Sequence, residues 1–550
     1  AADGAYDPRL SPDGQWISWV SNGALQVCSW DGSDHRILVE SEADITWGVC
    51  DFIAAEEFNR SRGYWWLPDS SGLVVQRTDD TPVPIWHRSD PANPQREPTR
   101  QRYPHAGAAN ARVEVWRFDL DGEGARVPLP EAEYLATVRG GAIGVFDRAQ
   151  TALTVCDFDG QTIGRVEQQP WLDLVPGLPR RSGDVLVAWT DEARRRLTMD
   201  GHAVTPAEVH LRSYLGEIDG THYVTACTTP AESRVGCIDS GGFRWLSEPG
   251  KYTTATVESD LIITSETTWD RYGAQVTVRD RDYAALAGVD SLAEVPQIEA
   301  SPTLLPAGIE DVQVVVLMPS EQSSEPLPIL MNPYGGPHAQ RVIAARSAYA
   351  GAQWLADQGF CVVIADGRGT PGQSPAWEHA IAGDLRDAAL EDQVTALARV
   401  VSAYPDQVDP SRVGILGWSY GGYLAALAVL QRPDVFSAAV AGAPVTEWRL
   451  YDTAYTERYL GDPRTDPAPY DHSSLLPLAA NLERPLLLIH GLADDNVFAA
   501  HTLQMSSALT AAGRPHQVLP LSGVTHMTPQ PEVAENLLLL QVDFFRRHLG

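Results

Sequence analysis

At 550 residues the chain exceeds what one hydrophobic core organises, so two or more domains are expected. A formal charge of −31 argues against a nucleic-acid partner, which needs a basic face for phosphate. With 44% hydrophobic and 21% charged residues, it reads as an acidic, soluble globular protein. No apolar run approaches the roughly 20 residues of a membrane span. The opening Ala-Ala-Asp-Gly-Ala-Tyr-Asp lacks the basic start and apolar stretch of a signal peptide. The expected location is therefore the cytoplasm, although a segment lost ahead of residue 1 would carry any export signal. The six cysteines (28, 50, 156, 227, 237 and 361) show no C-x-x-C spacing, so neither a metal nor a cofactor is expected. Cys227 and Cys237 are spaced either to pair across a hairpin or to stay free.

Residues 1–305 read as short strands and turns. Ser11-Pro12-Asp13-Gly14 precedes Gln15–Val20, Pro68-Asp69-Ser70-Ser71-Gly72 precedes Leu73–Gln76, and Asp121-Gly122 and Asp159-Gly160 follow. Asp-Gly between alternating apolar runs favours tight hairpins, because glycine accepts positive φ. So many hairpins without long amphipathic helices suit propeller blades better than one sandwich. Ala54-Ala55-Glu56-Glu57-Phe58 interrupts this texture with a helical turn, for which Gly63 is the candidate stop.

Residues 306–550 alternate apolar strands with helices, the pattern of βαβ units and a mostly parallel sheet. Strands are expected at 312–318, 328–332, 362–366, 413–417, 438–441, 486–490 and 518–521. Helices are expected at 388–401, 422–431, 501–512 and 531–549. The Leu537–Leu540 cluster in the last helix reads as a packed face, because Glu532, Glu535, Asp543, Arg546 and Arg547 punctuate it.

Gly417-Trp418-Ser419-Tyr420-Gly421 lies between a strand and a helix, the context of a nucleophile elbow in an α/β-hydrolase. A serine hydroxyl needs an adjacent base, and the base needs an orienting carboxylate. Each should follow a later strand, acid before histidine. Leu486–His490 leads into Asp494-Asp495, and Val518–Leu521 leads into His526. The assignment is Ser419 as nucleophile, Asp494 as orienter and His526 as general base and acid. Asp495 is the alternative acid, and His490 and His501 are the competing histidines. For the oxyanion, the Tyr420 backbone N–H is the expected first donor. Tyr334, in Asn332-Pro333-Tyr334-Gly335-Gly336-Pro337, is either the second donor or a core tyrosine beside a structural turn.

These motifs, with Asp366-Gly367-Arg368-Gly369-Thr370, Ala443–Trp448, Tyr451–Tyr459 and His490–Val497, resemble the dipeptidyl peptidase IV branch of the prolyl oligopeptidase family. The resemblance implies a β-propeller over the active site of an α/β-hydrolase, Tyr334 as side-chain oxyanion donor and Asp494 as the acid. It also implies an apolar pocket lined by Tyr420, Val445, Trp448, Tyr451, Tyr455 and Val497, whose flat aromatic walls suit a proline ring. Asn496 would hold the carbonyl of the substrate's first residue. Ala54–Trp66 resembles the branch's double-glutamate segment. Adjacent carboxylates on a short helix can both reach one ammonium, whereas on a strand they face opposite ways. Glu56 and Glu57 would thus grip a free α-amino group, cationic near neutral pH, and count residues from the N-terminus. Pairing into a homodimer is implied as well.

One departure stands out. The glutamate pair lies at position 56, so the propeller reads as incomplete at its start, and the arginine that binds a substrate carbonyl in relatives has no assignable counterpart. The expected function is a serine exopeptidase releasing X-Pro or X-Ala dipeptides. The alternatives are an acylaminoacyl-peptidase or oligopeptidase, and a catalytically inactive propeller interaction protein.

Overall fold

The computed structural model describes residues 4–308 and 310–550, so the first three residues of the leading stretch lie outside the described residues. Six antiparallel sheets follow one another along the chain at residues 6–39, 45–126, 134–167, 180–203, 210–245 and 252–289. Five have four strands in simple meander order, and the second has five. Consecutive sheets pack face to face in the manner of propeller blades. Buried residues of the third, fourth and fifth sheets, among them Phe146, Trp189 and Tyr214, merge into one core. Exposed apolar side chains stand on the first sheet (Leu10, Trp30, Ile37) and the last (Leu261, Ile263, Leu286, Val289), so both ends of the row carry uncovered surface.

The Asp-Gly turns behave as their chemistry demands, with Gly14 at φ 72°. In Pro68–Gly72 the left-handed position falls on Ser70 instead, at φ 60°. Cys227 and Cys237 do not pair across their hairpin. The register sets Cys237 opposite Tyr223 and Cys227 opposite His210, and all six cysteines are free.

The second half is built on one eight-stranded sheet, whose strands we number β1 (Thr303–Leu304), β2 (Gln313–Leu317), β3 (Leu327–Met331), β4 (Cys361–Asp366), β5 (Val408–Trp418), β6 (Ala438–Gly442), β7 (Leu486–Gly491) and β8 (Gln517–Leu521). The spatial order is β1-β2-β4-β3-β5-β6-β7-β8, parallel from β4 to β8. Both faces are covered. Val314, Val316, Ile329 and Met331 enter one core, and Val315, Leu317, Leu330 and Ile364 enter the other. Burial on both faces explains why these strands read as unbroken apolar runs. Among the described residues, no helix is long and apolar enough to cross a membrane.

The two halves meet around two helices, α1 (Phe52–Glu57) and α3 (Thr453–Leu460), while α2 (Tyr420–Gln431) lies inside the second half. Asp51 caps α1 by accepting the Ala54 N–H at 3.1 Å. The helix ends at Glu57, not at Gly63. Phe58 leaves the helical region and Asn59 takes φ 49°, because Ile53, Ala54 and Phe58 are drawn into the propeller core. α3 faces that core with Ala454. From α3, Glu457 takes two hydrogen bonds from Arg148 of the propeller, at 2.6 and 2.7 Å, and one from the Gly107 N–H at 2.8 Å. Arg458 donates to Gln150 Oε1, and Gln150 donates in turn to the Ala454 carbonyl.

Removing the charge of Glu457, whose side chain is 2% exposed, strands the Arg148 guanidinium at the interface. Glu457→Gln should destabilise the protein by about 3 kcal/mol in urea unfolding, and Arg148→Met added to Glu457→Leu should recover much of that loss.

Candidate active site

β5 lies in the middle of the sheet and delivers Ser419 directly into α2. Ser419 sits at φ 58°, ψ −117°, a conformation that costs a non-glycine residue of order 1–3 kcal/mol and persists only where the surroundings enforce it. Its N–H is tied to the Gly442 carbonyl at 2.9 Å, and its carbonyl accepts the first helical N–H, from Tyr423, at 2.9 Å. α2 is buried on every side from Tyr420 to Leu430. Its two tyrosine hydroxyls are satisfied by the Leu385 and Ser473 carbonyls, so the helix is a rigid mount. Gly421 lets the Pro333–Tyr334 loop close on the elbow, since a Cβ there would lie 2.6 Å from the Pro333 oxygen.

Asp494 and His526 meet as expected. Asp494, in the turn after β7, accepts from His526 Nδ1 at 2.8 Å through Oδ2, and its Oδ1 takes the N–H groups of Asn496 and Val497 at 3.0 and 2.9 Å. Burial pushes this carboxyl up, but His490, 3.5 Å from Oδ2, and the hydrogen bond from His526 more than reverse the effect and bring it to about 2. Asp495 is half exposed and lies 3.7 Å from Arg88 instead. His490 is locked between Thr502 Oγ1 and the Val497 carbonyl, each at 2.7 Å, which consumes both ring nitrogens. His501 is buried, accepts the Thr446 N–H at 3.2 Å and is pushed down to about 3 by burial. Trp418 Nε1 donates to the His526 carbonyl at 2.7 Å and ties the histidine turn to the residue before Ser419. Among the described residues, no hydrogen bond joins the Ser419 hydroxyl to His526 itself.

Tyr334 is half buried, its ring 5.9 Å from that of Tyr420. Burial, with Glu57 and Glu56 nearby, holds its hydroxyl proton firmly, so it remains a donor. The six pocket residues are gathered into one aromatic box. Trp448 lies parallel to Tyr455 at 5.8 Å, Tyr451 meets Tyr455 edge-on at 5.1 Å, and Tyr420 stands 5.9 Å from Trp448, with Val445 and Val497 buried in the same core.

The glutamate pair reaches this site across the interface. Glu56 Oε1 accepts from Asn496 Nδ2 at 2.7 Å. Partial burial raises the Glu56 pKa, and the proximity of His526 lowers it. Glu57 points inward, 2% exposed, with its Oε2 unbonded and 3.6 Å from His338 Nδ1. Among the described residues, no arginine hydrogen-bonds Glu56, Glu57 or Asn496.

Three features escape sequence reasoning. The hairpin Ile85–Arg88/Thr99–Arg102 braces the acid turn. Gln101 donates to the Asp495 carbonyl at 2.9 Å, and Trp86 packs edge-on against Phe498 at 4.7 Å. Tyr103 donates to the Asn496 carbonyl at 3.0 Å. Asp452 and His338 stand beside Glu57. Of these, only Asp452 carried a signal, as an acid directly before a helix. A methyl at position 421 tests how tightly the elbow is held. Gly421→Ala should cost about 1–3 kcal/mol in unfolding free energy and slow fluorophosphonate labelling of Ser419.

A model described as the prolyl oligopeptidase family matches residues 346–550, and one described as the dipeptidyl peptidase IV (DPP IV) N-terminal region matches residues 2–169. Dipeptidyl peptidase 8 of Homo sapiens is 26% identical over 99% of this chain and 75% of its own length. Dipeptidyl peptidase 4 of Bos taurus is 25% identical over 92% and 76%. The crystal structure of Porphyromonas gingivalis dipeptidyl peptidase 4 superposes with a TM-score of 0.89 at 22% identity, covering 99% of this chain and 83% of that one, a likeness of fold. The chain belongs to the prolyl oligopeptidase family.

Proposed function

We propose that this chain is a serine dipeptidyl peptidase that releases X-Pro and X-Ala dipeptides from free peptide N-termini through an acyl-enzyme. The observation that carries the reading is the 2.7 Å hydrogen bond between Glu56 and Asn496, which puts the acidic pair against the turn that holds Asp494. Two extended residues span at most about 7 Å. On this reading a substrate whose ammonium sits at Glu56 and Glu57 offers its second carbonyl to Ser419.

In this mechanism the Ser419 hydroxyl attacks that carbonyl while His526 Nε2 takes its proton. Asp494 holds Nδ1–H and stabilises the imidazolium. The oxyanion is received by the Tyr420 N–H and the Tyr334 hydroxyl. His526 then gives the proton to the leaving amine, and water, activated by the same imidazole, frees the dipeptide. Trp448, Tyr451 and Tyr455 enclose the second side chain. Filling that box with a proline ring rather than a methyl group is worth about 1–3 kcal/mol per methylene. Asn496 orients the first carbonyl. A homodimer and a cytoplasmic setting are part of the proposal. The first is supported by exposed Val518 on the free β8 edge and by Leu538, Leu539 and Leu540, which stand exposed beside buried Leu537 where the sequence pattern placed a packed face; the second is supported by six unpaired cysteines.

Gly-Pro-anilide should be turned over about 10³-fold faster, in kcat/KM, than its N-acetyl form, because acetylation removes two charge-assisted hydrogen bonds. Preference for the blocked substrate would establish an acylaminoacyl-type activity instead, and folded protein that resists a fluorophosphonate probe would establish an inactive scaffold. Tyr334→Phe should lower kcat by about 10²–10³-fold with little change in KM, as expected of a donor that serves the developing charge.

A further inference from the structure

Three carboxyl groups converge where the sequence reading placed two. Asp452 is fully buried and stands before α3, its Oδ1 accepting the Tyr455 N–H at 2.9 Å. Its Oδ2 has no hydrogen-bond partner among the described residues, and neither has the buried Oε2 of Glu57. α1 and α3 pack together, and the two carboxyl groups lie within hydrogen-bond reach of one another. Two ionised carboxylates have no proton to share and repel, so a pair in contact in a dry site carries a proton between them.

The helices decide where that proton rests. Asp452 sits at the N-terminus of α3, where backbone N–H groups favour its negative charge. Glu57 closes α1 at the opposite kind of helix end, has its Oε2 without a partner among the described residues, and has Glu56 beside it. The proton therefore belongs to Glu57. Burial first, and Asp452 second, raise Glu57 well above the carboxylate range. Burial also raises Asp452, to about 6, against the pull of the Tyr455 N–H.

The remaining groups around the pair do not remove the need for this proton. Arg458 is the nearby cation, but its guanidinium is committed to Gln150, at 2.8 Å, and lies 3.4 Å from Asp173. His338 is held neutral by burial, its pKa pushed down to about 3. The hydroxyls of Tyr103, Tyr334 and Tyr451 stay protonated for the same reason.

We propose that Asp452 is a positioning residue of the amine site: it keeps a proton on Glu57 while the site is empty, and the substrate's ammonium displaces that proton to solvent. This rests on reading Glu56 and Glu57 as the amine clamp. The exchange balances as Glu57–COOH plus R–NH₃⁺ giving the Glu57 carboxylate paired with R–NH₃⁺, plus one H⁺, and no covalent bond of the substrate changes. The empty enzyme is spared an uncompensated buried charge. Affinity for free-amine ligands then weakens about tenfold for each pH unit below the upper apparent pKa of the pair.

The test is calorimetric titration of full-length Ser419→Ala protein with Gly-Pro-anilide at pH 6, in two buffers of different ionisation enthalpy. At that pH the ligand's own amine is already charged. The expected result is release of about one proton per ligand in the Ser419→Ala protein, and clearly less when Asp452→Asn is added. The difference separates the pair from any contribution of His526. In the active enzyme, Asp452→Asn should move the acid limb of the KM profile to lower pH by about one unit or more, with kcat shifted less. Binding with identical enthalpy in both buffers would overturn the proposal, even if the Asp452 variant fails to fold. An absence of binding would instead count against the amine clamp itself.

Discussion

The geometry of the whole site depends on a short helix with two chemically different faces. Along Thr453–Leu460, Tyr455 and Tyr459 continue the aromatic row begun by Tyr451, one helical turn apart, and line the pocket side. The other face sends Glu457 and Arg458 into the propeller, where Arg148 and Gln150 receive them. The element that shapes the pocket is thus the element that fixes the distance between the two halves. Buried ion pairs are poor sources of net stability, but they tolerate only one arrangement. That intolerance suits the proposed site, whose acids would come from residues 56–57 and whose nucleophile would come from residue 419.

Much of the catalytic half was legible because its signals are local. The elbow needs a strand, a small-residue turn and a helix within a dozen residues, and the acid and histidine each follow an apolar strand. The seven expected strands and four expected helices of that half appear within a few residues of their expected limits, β5 starting earlier than foreseen. The pocket and the role of the glutamate pair came from resemblance, since buried aromatic residues and adjacent acids look alike in many settings. What sequence did not reveal is what the blades bring together. The hairpin at 85–102 reaches a turn some 400 positions away, and nothing in Trp86 or Gln101 announces it. Gly63 was a reasonable helix stop by composition, but tertiary packing of Phe58 ended α1 earlier.

The electrostatics of the interior differ from those of the surface. The net charge of −31 favours cationic partners over anionic ones at low ionic strength. Inside, acids are rationed by context. Asp494 is kept ionised by two histidines and two backbone N–H groups, whereas Glu57 lacks comparable donors and is held toward its neutral form. A carboxyl group is thus held as a fixed anion in one place and toward its neutral form in another.

The bond between Glu56 and Asn496 has one end rooted in each half of the molecule. On the proposed reading, the measuring device of the enzyme is assembled only when the halves are docked, whereas the serine, aspartate and histidine all belong to the hydrolase alone. Any loosening of the docking, by heat, pressure or mild denaturant, would blur the choice of cleavage position before it silenced the chemistry. Fidelity and turnover would then fail at different thresholds, with infidelity arriving first.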